Sequence, residues 1–84
     1  MYYVYAIRSL KKKWVYVGIT DNLERRLNQH NKGYNRSTKP YLPFELVFFE
    51  EYPDRISARK REKYLKTHYG KMYIGNRLKS YFTG

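Results

Sequence analysis

The chain contains no cysteine and only two histidines, His30 and His68. Disulfides and thiolate zinc sites are therefore excluded, and two imidazoles are too few for a histidine-built metal centre. Any metal is expected to be a hard cation held by carboxylate and water. Acidic side chains are scarce too: seven, against 18 lysines and arginines, for a formal net charge of +11. A compact chain of that charge repels itself, which points to a polyanionic partner. Nucleic acid fits best, and an anionic membrane surface fits less well. The sequence has no apolar run long enough to span a bilayer and nothing like the apolar centre of a signal peptide, so no membrane association is expected. The absence of cysteine fits a reducing, cytoplasmic setting. No repeat, linker or low-complexity stretch divides the chain, and residues 1–84 read as one domain.

Aromatic residues are what the chain has in excess, with eleven Tyr, four Phe and one Trp. That is more Tyr than so small a core needs, so some are expected at a working surface. Met1 to Ile7 and Trp14 to Ile19 are β-branched and aromatic runs that read as two strands of an antiparallel hairpin. Centring it between Leu10 and Lys11 puts Tyr5 directly opposite Tyr16, with Cβ atoms about 5 Å apart. Asp21, with Glu24 three residues on, looks like a capping box for a helix that ends near Asn31, before Gly33. On it Leu23, Leu27 and His30 share a face, Arg26 borders that face and Arg25 points away. Lys32 to Pro43 reads as a loop and Phe44 to Glu51 as a third strand. A helix capped by Asp54 carries Ala58, Glu62, Leu65 and Tyr69 on one face and breaks at Gly70. A last helix spans Met72 to Phe82, with Ile74, Leu78 and Tyr81 inward and Gly75 a weak point. The order β-β-α-β-α-α predicts an α+β fold (in the broad sense α/β), a small three-stranded antiparallel sheet flanked by helices.

Glu62 is the most informative residue, because a carboxylate on an apolar face is costly unless it is paired or holds a metal. A salt bridge to Arg61 or Arg26 would also account for it. Taken one at a time, Tyr5 and Tyr16 read as packing residues, His30 as a core histidine and Gly18 as a bulge or a close approach. Together they resemble a known arrangement. Tyr3-Val4-Tyr5 is similar to the GIY element and Tyr16-Val17-Gly18 to the YIG element of the GIY-YIG nuclease superfamily. Arg26 stands at the position of that family's helix arginine, His30 one turn later, and Arg61-Glu62-Lys63 resembles the segment with its metal-binding glutamate. The likeness covers essentially the whole chain and is greatest to the small stand-alone members. Tyr3 replaces the usual first Gly, and Asn76 is the only late asparagine that could match the family's C-terminal one.

The resemblance implies a metal-dependent DNA endonuclease of repair or recombination, acting on DNA, branched or damaged forms included. It implies Tyr5 as general base, Tyr16 orienting it or the attacking water, Arg26 clamping the scissile phosphate and His30 in support. Glu62 would hold one Mg²⁺ or Mn²⁺. A tyrosine pKa near 10 is far from neutral, so the cationic surroundings are expected to lower that of Tyr5. Lys11, Lys12, Lys13, Arg36, Lys39, Arg59, Lys60 and Lys63 would contact flanking phosphates, which position DNA without reading its sequence. With no targeting module in view, recognition would come from DNA shape, a partner protein or homo-oligomerisation. A basic nucleic-acid-binding module without useful catalysis, or a ribosome-associated structural protein, would share the charge. The charge itself makes a prediction. DNA affinity measured across a salt series should fall with a log–log slope of about −0.9 for each phosphate neutralised. A salt-independent affinity would contradict phosphate-dominated contact.

Overall fold

The computed structural model describes residues 1–79. Tyr81 and Phe82, expected in the last helix, lie outside the described residues. The elements are β1 (Tyr2–Ser9), β2 (Val15–Thr20), α1 (Leu23–Asn31), a 3₁₀ turn (Lys39–Tyr41), β3 (Phe44–Tyr52), α2 (Arg55–Leu65) and α3 (His68–Arg77). All three strands are antiparallel in the order β2-β1-β3. The fold is α+β, as the hydrophobic patterns indicate.

The central strand β1 decides the layering. Its residues Val4 to Ile7 are all buried, so both of its faces are covered. Val4 and Ala6 pack with Phe48, Ala58, Leu65, Ile74 and Leu78, which is the side of α2 and α3. Tyr5 and Ile7 pack with Phe44, Leu23 and Leu27, which is the side of α1. In a regular strand Phe44, Leu46 and Phe48 would share a face. Instead Ala6 pairs with Phe48 and Ile7 with Leu46, leaving Val47 as an extra residue. This bulge reverses the alternation, so one short strand supplies both cores.

The hairpin register differs from the one expected. Tyr5 pairs with Gly18, and Tyr16 with Ile7. The turn is two residues longer on the far side because Ser9 organises it. The Ser9 hydroxyl accepts the backbone N–H groups of Lys11 and Lys12, and the Ser9 N–H donates to the Trp14 carbonyl. The resulting offset is two residues, an even number, so Tyr5 and Tyr16 stay on the same face as diagonal neighbours.

Three helix boundaries are also corrected. Asn22, not Asp21, caps α1, its side chain accepting from the Arg25 N–H, while Asp21 pairs with the Arg25 guanidinium. Asp54 caps α2 as expected. That helix ends at Leu65, however, and Thr67 caps α3. Tyr69 therefore belongs to α3 and is exposed. Gly70 does not break a helix. It lies inside α3 and lets that helix touch the end of α2: a Cβ there would come within 2.1 Å of the Tyr64 carbonyl oxygen and 2.3 Å of the Leu65 Cα.

Gly70 and Gly75 therefore have opposite roles within one helix. Gly70→Ala must push two backbones apart and is expected to cost about 2 kcal/mol or more, in the range of overpacked interiors. A Cβ on Gly75 meets nothing within 4 Å. Gly75→Ala should therefore stabilise by about 0.5–1 kcal/mol through reduced backbone entropy in the unfolded chain. Urea unfolding of both variants checks the pair of signs.

Candidate active site

Gly18 is where the site begins. Lying across from Tyr5 without a side chain, it leaves room for the phenol: a Cβ at Gly18 would stand 2.7 Å from the Tyr5 oxygen. The phenol crosses this gap and meets α1. Its hydroxyl is 2.8 Å from His30 Nε2, and Arg26 Nε donates to it at 3.4 Å. Arg26 and His30 are one turn apart, so both reach the same hydroxyl from one helix face. The Tyr16 ring stands 6.3 Å from that of Tyr5 and 5.2 Å from that of His30, centroid to centroid. Tyr5, Tyr16, Arg26 and His30 are thus brought together. Arg25 points away to Asp21.

Glu62 lies on α2, whose apolar neighbours Ala58 and Leu65 face the opposite core. Its link to the tyrosines is Lys66, one turn later. The Lys66 ammonium is 3.2 Å from Glu62 Oε2 and lies 5.6 Å from the centre of the Tyr16 ring. Arg59 Nε is 3.6 Å from the other carboxylate oxygen. These partners differ from the Arg61 or Arg26 bridge considered above, since Arg61 is bound to Glu50. Glu62 is the only buried carboxylate among the described residues. No cluster of three or more potential metal ligands occurs among them. A single hard oxygen donor suits a cation of the Mg²⁺ type, which keeps most of its water. To reach Glu62 it must compete with Lys66 and Arg59.

Electrostatics correct one expectation. Burial pushes the Tyr5 phenol up to about 12, against the ordinary 10. The Arg26 hydrogen bond and charge pull it down, but Tyr16 and Glu62 add to the rise. The cations do not win, because Tyr5 is only 2% exposed and a phenolate there loses its hydration. The same burial, assisted by the positive Arg26, lowers His30 to about 4. At neutral pH both groups are uncharged. The surface does not gather the site into one opening. Arg26 lines a depression with Thr20, Gln29 and Arg55, whereas Tyr16 and Lys66 line a separate apolar groove with Leu65 and Ile74.

Three neighbours escaped the sequence reading. Lys66 had a usable signal, its i,i+4 spacing from Glu62. Gln29, whose side-chain oxygen accepts from Arg26, had only the spacing i,i+3. Thr38, 2.9 Å from His30 Nδ1 and fully buried, had none, being one hydroxyl among several in the loop. The cations expected to meet flanking phosphates, Lys11 to Lys13, Arg36, Lys39, Arg59, Lys60 and Lys63, are all exposed, as is Asn76.

The model of the GIY-YIG catalytic domain matches residues 1–79, and the chain belongs to the GIY-YIG family. Among proteins it resembles, a UPF0213 protein of Clostridium perfringens is 39% identical over 67 residues, covering 79% of this chain and 71% of that protein. One from Nitratidesulfovibrio vulgaris is 36% identical over 67 residues, 79% of this chain and 60% of the other. One from Haloquadratum walsbyi is 34% identical over 68 residues, 80% and 75%. The match thus spans less than two thirds of the second of these proteins. The family is one of nucleases, with DNA as the substrate class. No helix among the described residues is long and apolar enough to cross a membrane.

The depressed His30 pKa gives a pH prediction. The folded value lies below the unfolded one, about 6.5, so between the two the unfolded chain binds the proton more readily. This contribution to stability is complete above about pH 6.5 and is lost as pH falls toward 4. Its slope reaches about 1.4 kcal/mol per pH unit. Proton NMR of the His30 ring should give a midpoint near 4, and His30→Gln should flatten the acid limb of the stability curve. A His30 midpoint near 6.5 would contradict its burial as a neutral ring.

Proposed function

We propose that the protein is a metal-dependent DNA endonuclease that hydrolyses phosphodiester bonds at Tyr5, Tyr16, Arg26, His30 and Glu62. The observation that supports this most directly is the Tyr5 hydroxyl, held by Arg26 on one side and His30 on the other. Such a hydroxyl lies where a phosphate drawn to Arg26 would arrive. The guanidinium fork can bind two phosphate oxygens at once, which a lysine cannot. Tyr5 takes the proton of the attacking water. With its pKa near 12 it is a poor base by itself, and His30 is the neighbour able to share its proton. Tyr16 orients the water or Tyr5. Glu62 is the residue to hold Mg²⁺ or Mn²⁺, which when bound would neutralise charge on the phosphate and its leaving oxygen. Exposed Lys11 to Lys13, Arg36, Lys39, Arg59, Lys60 and Lys63 hold flanking phosphates.

Tyr5 is only 2% exposed and Arg26 lies against its hydroxyl, so DNA must displace that side chain to reach it. That coverage, with the two cations already on Glu62, favours a second reading: a DNA-binding module with little catalysis. Cleavage assays on duplex, nicked, branched and single-stranded DNA, with Mg²⁺ or Mn²⁺ against EDTA, separate the two. Glu62→Gln and Arg26→Ala should each slow metal-dependent cleavage by on the order of 10² or more, the scale for deleting one preorganised electrostatic partner. Arg25→Ala should change it little, and Glu62→Gln should still bind DNA. Wild-type protein that binds DNA but cuts none of these substrates would leave the second reading standing. Undiminished cleavage by Glu62→Gln would remove Glu62 from the site.

A further inference from the structure

Three buried polar groups form a chain that the roles above do not explain. Tyr5 is 2% exposed, and His30 and Thr38 are fully buried. The Tyr5 oxygen is 2.8 Å from His30 Nε2, and His30 Nδ1 is 2.9 Å from the Thr38 hydroxyl. The Thr38 hydroxyl also lies 3.3 Å from the Asn35 carbonyl oxygen, to which it can donate. Buried polar protons need acceptors. The other neighbour of the Tyr5 oxygen is Arg26 Nε at 3.4 Å, and a guanidinium only donates. The Tyr5 proton is therefore left with His30 Nε2.

An Nε2 that accepts carries no proton, so the proton of the neutral ring is on Nδ1. Nδ1–H then donates to the Thr38 oxygen, which is free to accept because its own proton goes to Asn35. Every proton in the chain has a partner. The opposite tautomer fails the same count. Nε2–H and Arg26 would both donate to the Tyr5 oxygen, and the Tyr5 proton would be stranded in the interior. Each such orphan is costly.

We propose that Thr38 is a positioning residue, whose hydroxyl holds His30 as the Nδ1–H tautomer so that Nε2 faces Tyr5 as a proton acceptor. This rests on the nuclease reading only for its consequence. When Tyr5 takes a proton from water, its own phenolic proton passes to Nε2. One water O–H bond and the phenol O–H bond break, a new phenol O–H and an Nε2–H bond form, and the hydroxide oxygen bonds to phosphorus as the bond from phosphorus to the leaving oxygen breaks, that oxygen keeping the electron pair and taking a proton from solvent. Tyr5 never has to persist as a phenolate. The imidazolium that forms keeps its Nδ1–H on Thr38.

The test needs neither DNA nor metal, so it stands or falls apart from the nuclease reading. Long-range ¹H–¹⁵N correlation spectra of the histidine rings report which nitrogen carries the proton. The chain has only two histidines, and His68→Gln identifies the His30 signals. At pH 7 wild-type His30 is expected as the Nδ1–H tautomer, the reverse of the preference of free histidine in water. Thr38→Ser keeps the hydroxyl and should keep that tautomer. Thr38→Ala should shift the tautomer ratio toward Nε2–H by on the order of tenfold, the scale of one lost buried hydrogen bond. Thr38→Val, closer in size, repeats the comparison should the alanine variant not fold. A wild-type Nε2–H tautomer overturns the proposal directly. So does an Nδ1–H ring unchanged in a folded Thr38→Ala or Thr38→Val variant.

Discussion

The hydrogen bond between the Tyr5 hydroxyl and His30 Nε2 ties the middle strand to α1, and much of the molecule is arranged to permit it. The phenol reaches the helix because Gly18, its cross-strand partner, has no side chain in the way. The imidazole stays in place because Thr38, in the loop after α1, holds its far side. Arg26 meets the same hydroxyl because it is one helical turn before His30. Packing around the pair is aromatic, from Tyr16 and Phe44. A bond so enclosed is strong because water cannot compete for it. The same enclosure keeps Tyr5 and His30 uncharged.

Charge is the second constraint. With an excess of eleven positive charges, most carboxylates are committed to neutralising local cations. Glu45 pairs with Arg8, Glu50 with Arg61 and Asp21 with Arg25. Glu62 follows the pattern with Lys66 and Arg59, but it alone is buried, and its charge is felt at Tyr5. Glu62 and the tyrosines of the candidate site are thus coupled electrostatically. A cation on Glu62 would reverse the sign of that influence and favour a more acidic phenol. Lys66, between Glu62 and the Tyr16 ring, is the side chain through which the two touch.

The alternation of apolar residues was enough to read the three strands, α1 and the start of α2, because periodicity reports directly on which face is buried. It was enough, too, to mark Glu62, since a lone carboxylate among Ala58 and Leu65 contradicts its surroundings. It failed where a local pattern has two solutions. The stretch from Arg55 to Tyr69 keeps a helical period across the break at Lys66, and only the packing of α3 on the end of α2 shows why Gly70 is needed. The Val47 bulge is likewise invisible, because a strand of Leu, Val and Phe is apolar in either register.

The sequence by itself determined the family and the order of elements and picked out the candidate side chains, because those follow from residue types at short spacings. Tertiary structure alone decided the environment of those side chains. The basic composition suggested an acidified Tyr5, yet burial against α1 raises its pKa, since desolvation acts at the atom while most of the net charge is screened at the surface. Composition could not single out Thr38 either. Its hydroxyl matters because the chain folds it against a ring eight residues away, and proton positions in an interior are set by whichever donors and acceptors the fold brings within reach.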